Sequence, residues 1–173
     1  RGMSLSKNED TLFVTLFSSG EISVIDTVEL NVKKTISIGS RAGLTQAFII
    51  DENKSLAYVP NTMRNSDNKN LAFDTTAFPF VSILDLKELI HLREQRIALD
   101  IIDEPVGIPL EATLQNSTLY VTNAASNDLT IIDLESRKAL AHVEVGSFPS
   151  GIVLSERGDE IYVHNSVDGT ISV

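Results

Sequence analysis

Short runs of apolar residues, each followed by a polar turn, recur along the whole chain. The segment LYVTNAASNDLTIIDL at residues 119–134 has two apolar runs around a turn, and residues 12–27 and 161–173 repeat this arrangement. The runs are rich in Val, Ile, Tyr and Thr, which favour pleated strands. The turns are rich in Gly, Asn, Asp and Ser, which favour tight hairpins. The pattern therefore predicts repeated antiparallel hairpins.

The spacing within these hairpins defines the repeat. An aromatic residue in the first run and an aspartate at the end of the second run lie 13 residues apart in two copies. A divergent copy keeps both residues but separates them by 27, so it carries 14 extra residues. The pairs are Phe13 and Asp26, Tyr120 and Asp133, and, in the divergent copy, Tyr58 and Asp85; Tyr162 follows Tyr120 by 42 residues and begins the last copy.

Each repeat predicts four strands, a to d, joined by short linkers. Strand a is typified by GIVLS, b by EIYVHN, c by LTIID and d by ALAHVEV. Both faces of strand b are largely apolar, so each sheet must be covered on both sides, which stacked copies would achieve. Four-stranded antiparallel units at a period of ~42 residues are typical of a β-propeller. A β-sandwich does not explain such similar strand pairs, and short-repeat solenoids use shorter periods and parallel strands.

We therefore predict an all-β fold, a partial β-propeller of four-stranded antiparallel blades. Residues 1–173 would form a single segment of about 3.75 blades, with about seven or eight in the whole protein. Blade 1 takes about 1–40, blade 2 about 41–105 with an insertion at 62–80, blade 3 about 106–149, and a partial blade 4 about 150–173. Since the first and last blades leave an apolar face uncovered, we expect the chain to associate when expressed alone.

Composition narrows the classes of function. The chain has 173 residues, 42% of them hydrophobic, with a formal net charge of -10 and a pI near 4.6. An acidic chain is a poor partner for nucleic acid or an anionic membrane surface. No apolar run approaches the ~18 residues of a membrane span. The absence of cysteine excludes disulfides, cysteine-ligated zinc, covalently attached haem and a thiol nucleophile within this stretch, and it fits an oxidising compartment.

The third copy and its continuation carry a more specific pattern than strand spacing. The matching residues are Tyr120-Val121-Thr122-Asn123, Ile132-Asp133, Val145-Gly146, Pro149-Ser150-Gly151 and Tyr162-Val163-His164-Asn165. They resemble the YVTN-type β-propeller repeat of bacterial and archaeal surface, periplasmic and secreted proteins. The resemblance covers nearly the whole chain, with an insertion in the second copy. It implies a propeller in an extracytoplasmic protein (periplasmic, cell-surface or secreted) and says little about activity.

Three roles remain open under this resemblance. The first is a non-enzymatic scaffold or recognition module that binds a ligand, another domain of the same protein, a protein partner or further copies of itself. The second is the propeller lobe of an oxidoreductase linked to a c-type cytochrome, because AYVPN, a polar insertion and AFDTTAFPFVSILDL resemble blades of such proteins. Haem c would then lie on another segment or partner, with no cofactor and no catalytic residue in this stretch. The third is a structural surface-layer or adhesion protein.

Two sets of polar residues recur at strand ends, and we interpret both as structural. The aspartates that end strand c are Asp26, Asp85 and Asp133. The asparagines that end strand b are Asn61, Asn123 and Asn165. An aspartate there can accept backbone N–H groups of the next turn, and an asparagine is expected to tolerate the left-handed turn conformation. Recurrence in each copy indicates a need of the fold, since a catalytic residue usually occurs once.

The insertion of the second blade is the main candidate site. It lengthens the b–c connection, which shares a face with the d–a connections, where the loops of a propeller converge. A long loop is usually functional or disordered, and its aromatic residues argue against disorder. The candidate binding residues are Arg64, Asp67, Asn68, Lys69, Phe73, Asp74, Phe78, Phe80, Asp103, Glu104 and His164. The loop could pack on its own blade, contact a partner or second domain, or bind Ca²⁺. The calcium ligands would be Asp67, Asn68, Asn70 and Asp74, which lack the spacing of a calcium loop.

The three histidines do not cluster in sequence. His91 is assigned to the c–d turn of the second blade, a turn predicted to gain about two residues, and His142 to the exposed surface of strand d. His164 replaces the Thr of the YVTN motif near the loop-rich face, where it could ligate a metal or haem or act as a base. Whether the chain holds a metal is left unknown.

Overall fold

The computed structural model describes residues 2–65, 76–100 and 105–173, and these form four antiparallel sheets in sequence order. The first sheet contains β1 (Met3–Leu5), β2 (Thr11–Leu16), β3 (Glu21–Asp26) and β4 (Asn31–Ser37). The second contains β5 (Ala42–Gly43), β6 (Ile49–Asp51), β7 (Leu56–Arg64), β8 (Ala77–Asp85), β9 (Ile90–His91) and β10 (Ile97–Ala98), with a short 3-10 helix at Arg93–Gln95. The third contains β11 (Pro109–Gln115), β12 (Thr118–Asn123), β13 (Asp128–Asp133) and β14 (Lys138–Glu144), and the fourth β15 (Pro149–Leu154), β16 (Ile161–Asn165) and β17 (Thr170–Ser172).

The four sheets are successive blades of a β-propeller. In the first and third sheets the four strands pair in sequence order, and the fourth sheet has three strands in the same order. In the second sheet β5 and β6 both pair with β7 and act as strand a, while β9 and β10 both pair with β8 and act as strand d. The predicted all-β class, a partial propeller with three blades and most of a fourth, is confirmed.

Hydrophobic cores lie between neighbouring blades. The core between the first and second blades includes the rings of Phe13 and Phe48, which stack with their centroids 4.9 Å apart. The core between the second and third blades includes Val81, Leu119 and Ile132, all fully buried. Burial of apolar area contributes about 25 cal/mol per Å². A blade that is apolar on both faces gains this stabilisation when neighbouring blades cover both faces, as the strand pattern predicts.

The outer parts of the segment are the most exposed. Strand β4 is exposed at every residue except Ile36, as an outermost strand d should be. Large apolar side chains are also exposed on the first and fourth blades, including Met3 at 68% and Ile171 at 63%. Among the described residues, no helix has the length and apolarity needed to cross a membrane.

The aspartates at the end of strand c anchor the turns that follow them. Each accepts two backbone N–H bonds, for example from Val28 and Glu29 to Asp26 Oδ1, both at 2.8 Å. The Lys33 side chain and these two backbone groups lower the pKa of Asp26 to about 2. Because all three aspartates make the same bonds, the prediction that they serve the fold is confirmed. The other two are Asp85 and Asp133.

The asparagines of strand b are structural in a different way from the one predicted. Asn61, Asn123 and Asn165 are buried inside or at the end of their strands, and none has a positive φ, so the left-handed explanation is wrong. Instead, each side-chain amide donates to a hydroxyl on strand c. The acceptors are Ser82 Oγ at 2.9 Å, Thr130 Oγ1 at 2.6 Å and Ser172 Oγ at 2.9 Å, respectively. The amide therefore links strands b and c by a side-chain hydrogen bond near the connection between them.

Candidate functional site

The main departure from the repeat is an extended hairpin in the second blade. Strands β7 and β8 have nine residues each, against six in the equivalent strands of the third blade. Their pairing continues through Thr62 opposite Pro79, Met63 opposite Phe78, and Arg64 opposite Ala77. The ends of the predicted insertion at 62–80 are thus strands rather than loop. The sheet itself extends beyond the rest of the blade on the loop-rich face.

The extended hairpin is fastened to the d–a connection that arrives from the first blade. Met63 pairs with Ala42 in β5, and the Arg64 backbone N–H donates to the Arg41 carbonyl at 2.9 Å. The Arg41 guanidinium in turn donates to Asn65 Oδ1 at 3.1 Å, and Arg64 Nη2 lies 3.5 Å from the Ser18 carbonyl oxygen. The contact of Arg64 with Ser18, in the turn between β2 and β3, joins the hairpin to the first blade.

The other side of the hairpin is contacted by the chain that leads into β10. The Arg96 guanidinium lies over the Phe80 ring, 4.6 Å from its centroid, and Arg96 Nη1 donates to Met63 Sδ at 3.2 Å. A cation above an aromatic face is attracted by the negative face of the ring. Phe80 is therefore held within the blade by Arg96.

The outer strand of the second blade is interrupted. The turn between β8 and β9 has four residues, as has the turn between β3 and β4, so the c–d turn gains nothing and that prediction is wrong. The additional residues form the 3-10 helix Arg93–Gln95 between β9 and β10. His91 accordingly lies in β9, paired opposite Leu84, and not in the turn. Two basic residues, Arg93 and Arg96, lie in and directly after this 3-10 helix.

A cleft of about 440 Å³ opens between the interrupted strand and the d–a connection of the first blade. We call it the basic cleft. Its walls include the basic side chains of Arg41, His91, Arg93 and Arg96 and the apolar side chains of Ile38 and Met63. None of the described residues that line it is acidic, although the whole chain carries a formal charge of -10.

The pKa of His91 is affected by the positive charge of the basic cleft. Burial lowers the pKa of its imidazole, and the charges of Arg96 and Arg93 lower it further. Its Nε2 is enclosed and has no hydrogen-bond partner among the described residues. The imidazole is therefore neutral at pH 7, and the positive charge of the cleft comes from the arginines.

The remaining histidines lie elsewhere. His164 is exposed at the end of the second strand of the fourth blade, with Nδ1 3.3 Å from Ser150 Oγ, and the third blade separates it from the hairpin. His142 is half-buried, and its Nε2 lies 2.8 Å from the Leu99 carbonyl oxygen. The prediction of an exposed surface histidine at position 142 is therefore wrong, since the side chain links the second and third blades.

The structure brings together part of the predicted site. Arg64, Phe78 and Phe80 lie on the extended hairpin, while His164 does not join them. Seven predicted residues lie outside the described ranges, so they and the calcium alternative stay predictions: Asp67, Asn68, Lys69, Phe73, Asp74, Asp103 and Glu104. Within the described ranges, no group of three or more His, Cys, Asp or Glu is placed to hold a metal ion. The sequence interpretation gave no site role to Arg41, His91, Arg93 or Arg96. For the last three, the signal was the basic composition of HLREQR.

Comparison with solved structures supports the fold. A hydrazine synthase chain from Kuenenia stuttgartiensis, a β-propeller-containing protein, superposes with a TM-score of 0.83 at 15% sequence identity, over 98% of this chain. The chain has a β-propeller fold. The match covers 56% of the hydrazine synthase chain, so this chain spans little more than half of that length. The computationally designed Ika4 protein matches with a TM-score of 0.63 at 10% identity, over 99% of this chain and 87% of its own.

No protein-family model matches the chain, and no curated protein matches it in sequence. At 10–15% identity, the two structural matches concern the fold alone. Any assignment of activity must therefore come from the side chains at the loop-rich face of the propeller.

Proposed function

We propose that the chain is a recognition module: a rigid propeller of the YVTN type that binds a protein or ligand through the extended hairpin of its second blade. The observation that carries this proposal is the hairpin itself, since β7 and β8 extend beyond the repeat on the face where propeller loops converge. The side chains of the recurring motif residues make hydrogen bonds that stabilise the fold. They bind turns and neighbouring strands, as Asp133 and Asn123 do.

The proposal includes an extracytoplasmic location and a partner that is another domain or another protein. Support comes from the YVTN-like residues and from the absence of cysteine, which fits an oxidising compartment. An extended hairpin anchored at its base suits this role, because its ordered strands lose little conformational entropy when a partner binds.

A second candidate is the propeller lobe of a haem-linked oxidoreductase. The observation that favours it is the structural likeness to a hydrazine synthase over 98% of this chain. Since the chain has no cysteine, it offers no thiol for covalent attachment of haem, and haem c would belong to another segment or a partner. The absorption spectrum of the full-length protein, purified from its source, separates the two candidates: a Soret band supports the oxidoreductase.

Site-specific photo-crosslinking in the source cells tests the recognition module. A photoreactive amino acid replaces Phe78, which is half-buried on the hairpin, and in a control variant it replaces Arg157, an exposed residue of an a–b turn on the opposite face. We expect a discrete cross-linked product at position 78 that is absent at position 157. Equal labelling at both positions, or none at 78, would show that the hairpin is not a recognition surface.

A further inference from the structure

We propose that the basic cleft binds a small-molecule oxyanion, a carboxylate or phosphate group attached to a body that is partly apolar. This proposal names a ligand class for the recognition module proposed above. It rests on that proposed function only in taking the loop-rich face of the propeller as the binding face. It stands on the side chains that the first two blades place around one cavity between them.

The charge of the cleft is the first argument. Three of the seven arginines of the chain line one cavity that has no acidic residue among its described lining, in a protein with a net charge of -10. The like charges of Arg93 and Arg96 repel each other, and this repulsion is relieved when an anion lies between them. Arg93 and Arg96 already act on His91 in this way, since both lower its pKa. An anion in the cleft would reverse that effect.

The fixed position of two arginines is the second argument. Arg96 is held by the Phe80 ring and Met63 Sδ, and Arg41 donates to Asn65 Oδ1. An arginine whose side chain is already positioned loses less rotamer freedom when it binds a ligand. The planar guanidinium presents paired donors that match the two oxygens of a carboxylate or phosphate.

The size of the basic cleft and the residues that line it indicate what the ligand contains besides its anionic group. A volume of about 440 Å³ falls within the range of small-molecule sites, roughly 300–1,000 Å³, and exceeds what one simple anion fills. Ile38 and Met63 give the cleft an apolar wall, while the hydroxyls of Ser37 and Ser40 add neutral polar groups. A small organic acid or a phosphate ester fits this combination better than an inorganic ion.

Titration calorimetry of the full chain with citrate and with inorganic phosphate, at an ionic strength held constant with KCl, tests the assignment. The double variant Arg93→Gln/Arg96→Gln removes two charges from the cleft, and Arg137→Gln/Arg157→Gln removes two exposed charges elsewhere. We expect the dissociation constant to rise at least tenfold in the first variant and to stay within twofold in the second. Because Arg96 also packs on Phe80, Arg93→Gln alone, at an exposed position, serves as a second cleft variant and should weaken binding severalfold.

Each outcome of the titration has a defined meaning. Stronger binding of citrate than of phosphate assigns carboxylates, and the converse assigns phosphate esters. Equal weakening in both double variants would mean general electrostatic attraction and would overturn the proposal, as would no binding of either anion to the native chain. Tighter binding of hexaglutamate than of both small anions overturns the small-molecule assignment in favour of an acidic protein segment.

The two proposals can fail separately. Replacing residues 66–75 with Asn-Gly leaves in place all the described residues that line the basic cleft, so this variant should bind the anion as the native chain does. If the native hairpin gives no cross-link at position 78 while specific anion binding is intact, only the recognition hairpin is refuted. If position 78 cross-links but neither anion binds, only the basic cleft is refuted.

Discussion

Replacement of Asn123 by glycine distinguishes two explanations for the recurrent asparagine of strand b. If the asparagine were there to adopt a left-handed turn, glycine would serve as well or better. The structure shows a buried amide whose Nδ2 donates to Thr130 Oγ1 and to Asp128 Oδ1. Glycine removes both hydrogen bonds and leaves the acceptors in a buried site.

The expected loss follows from these contacts. Two net hydrogen bonds are worth about 1 kcal/mol each, and glycine in a strand costs about 0.5–1 kcal/mol more. Removing the buried Asn123 Oδ1, which has no partner among the described residues, returns about 1 kcal/mol. The net loss is about 2 kcal/mol, or about 4–8 °C in melting temperature for a chain of this size.

Thermal unfolding followed by circular dichroism measures the difference. The matched control is Asn116→Gly, because Asn116 is exposed and has a positive φ of 53°, a conformation that suits glycine. We expect the control to melt within about 2 °C of the native chain, since surface changes are usually within about 0.5 kcal/mol. If Asn123→Gly melts as high as the control, the buried amide is not what keeps asparagine at this position.

Three further outcomes are expected. The Asp133→Ala variant should melt several degrees lower while its anion binding stays unchanged, since Asp133 caps a turn and lies outside the basic cleft; unchanged melting with lost binding would contradict this. His91 has a lowered pKa in the folded chain, so the unfolded chain binds more protons below the ordinary value of 6.5, and stability falls as the pH drops through that region. In the His91→Gln variant the free energy of unfolding should decrease less over this pH range. If urea unfolding gives the same pH profile for the variant and the native chain, His91 is not the cause of the decrease. The chain expressed alone should associate through the exposed apolar faces around Met3 and Ile171, and a monodisperse monomer by light scattering would refute that.

The periodic part of this fold is predictable because it depends on local chemistry. The 13-residue spacing from aromatic to aspartate fixes the b–c hairpin, and each aspartate bonds backbone groups two and three residues further on. The alternation of apolar residues on strand b indicates which faces are covered. Both signals lie within one repeat, so the blades and their stacking follow from the sequence.

The basic cleft depends on information that a linear pattern does not carry. Strand d is largely polar and exposed, with one buried residue in β4 and one in β10, and a strand with so small a buried face has weakly specified register. The additional residues of KELIHLREQ could therefore be assigned equally well to the turn or to the strand, and they lie in the 3-10 helix. Arg41 and Arg93 are also far apart in sequence, and the stacking of two blades brings them to one cavity. The asparagine was misinterpreted for a related reason, since its partners lie across the hairpin.

The interrupted outer strand has a consequence for how such a protein can change. Strand d is the last strand of its blade, and at β4 all residues but one face solvent. Apart from the few residues that reach a core, such as Ile36 and Ile97, residues gained or lost there leave the packing between blades unchanged, so the scaffold tolerates them. The inner strands have no such freedom, because both of their faces are packed. New binding chemistry can therefore arise at the rim of a blade at little risk to folding, and the arginines beside β9 and β10 occupy such a rim.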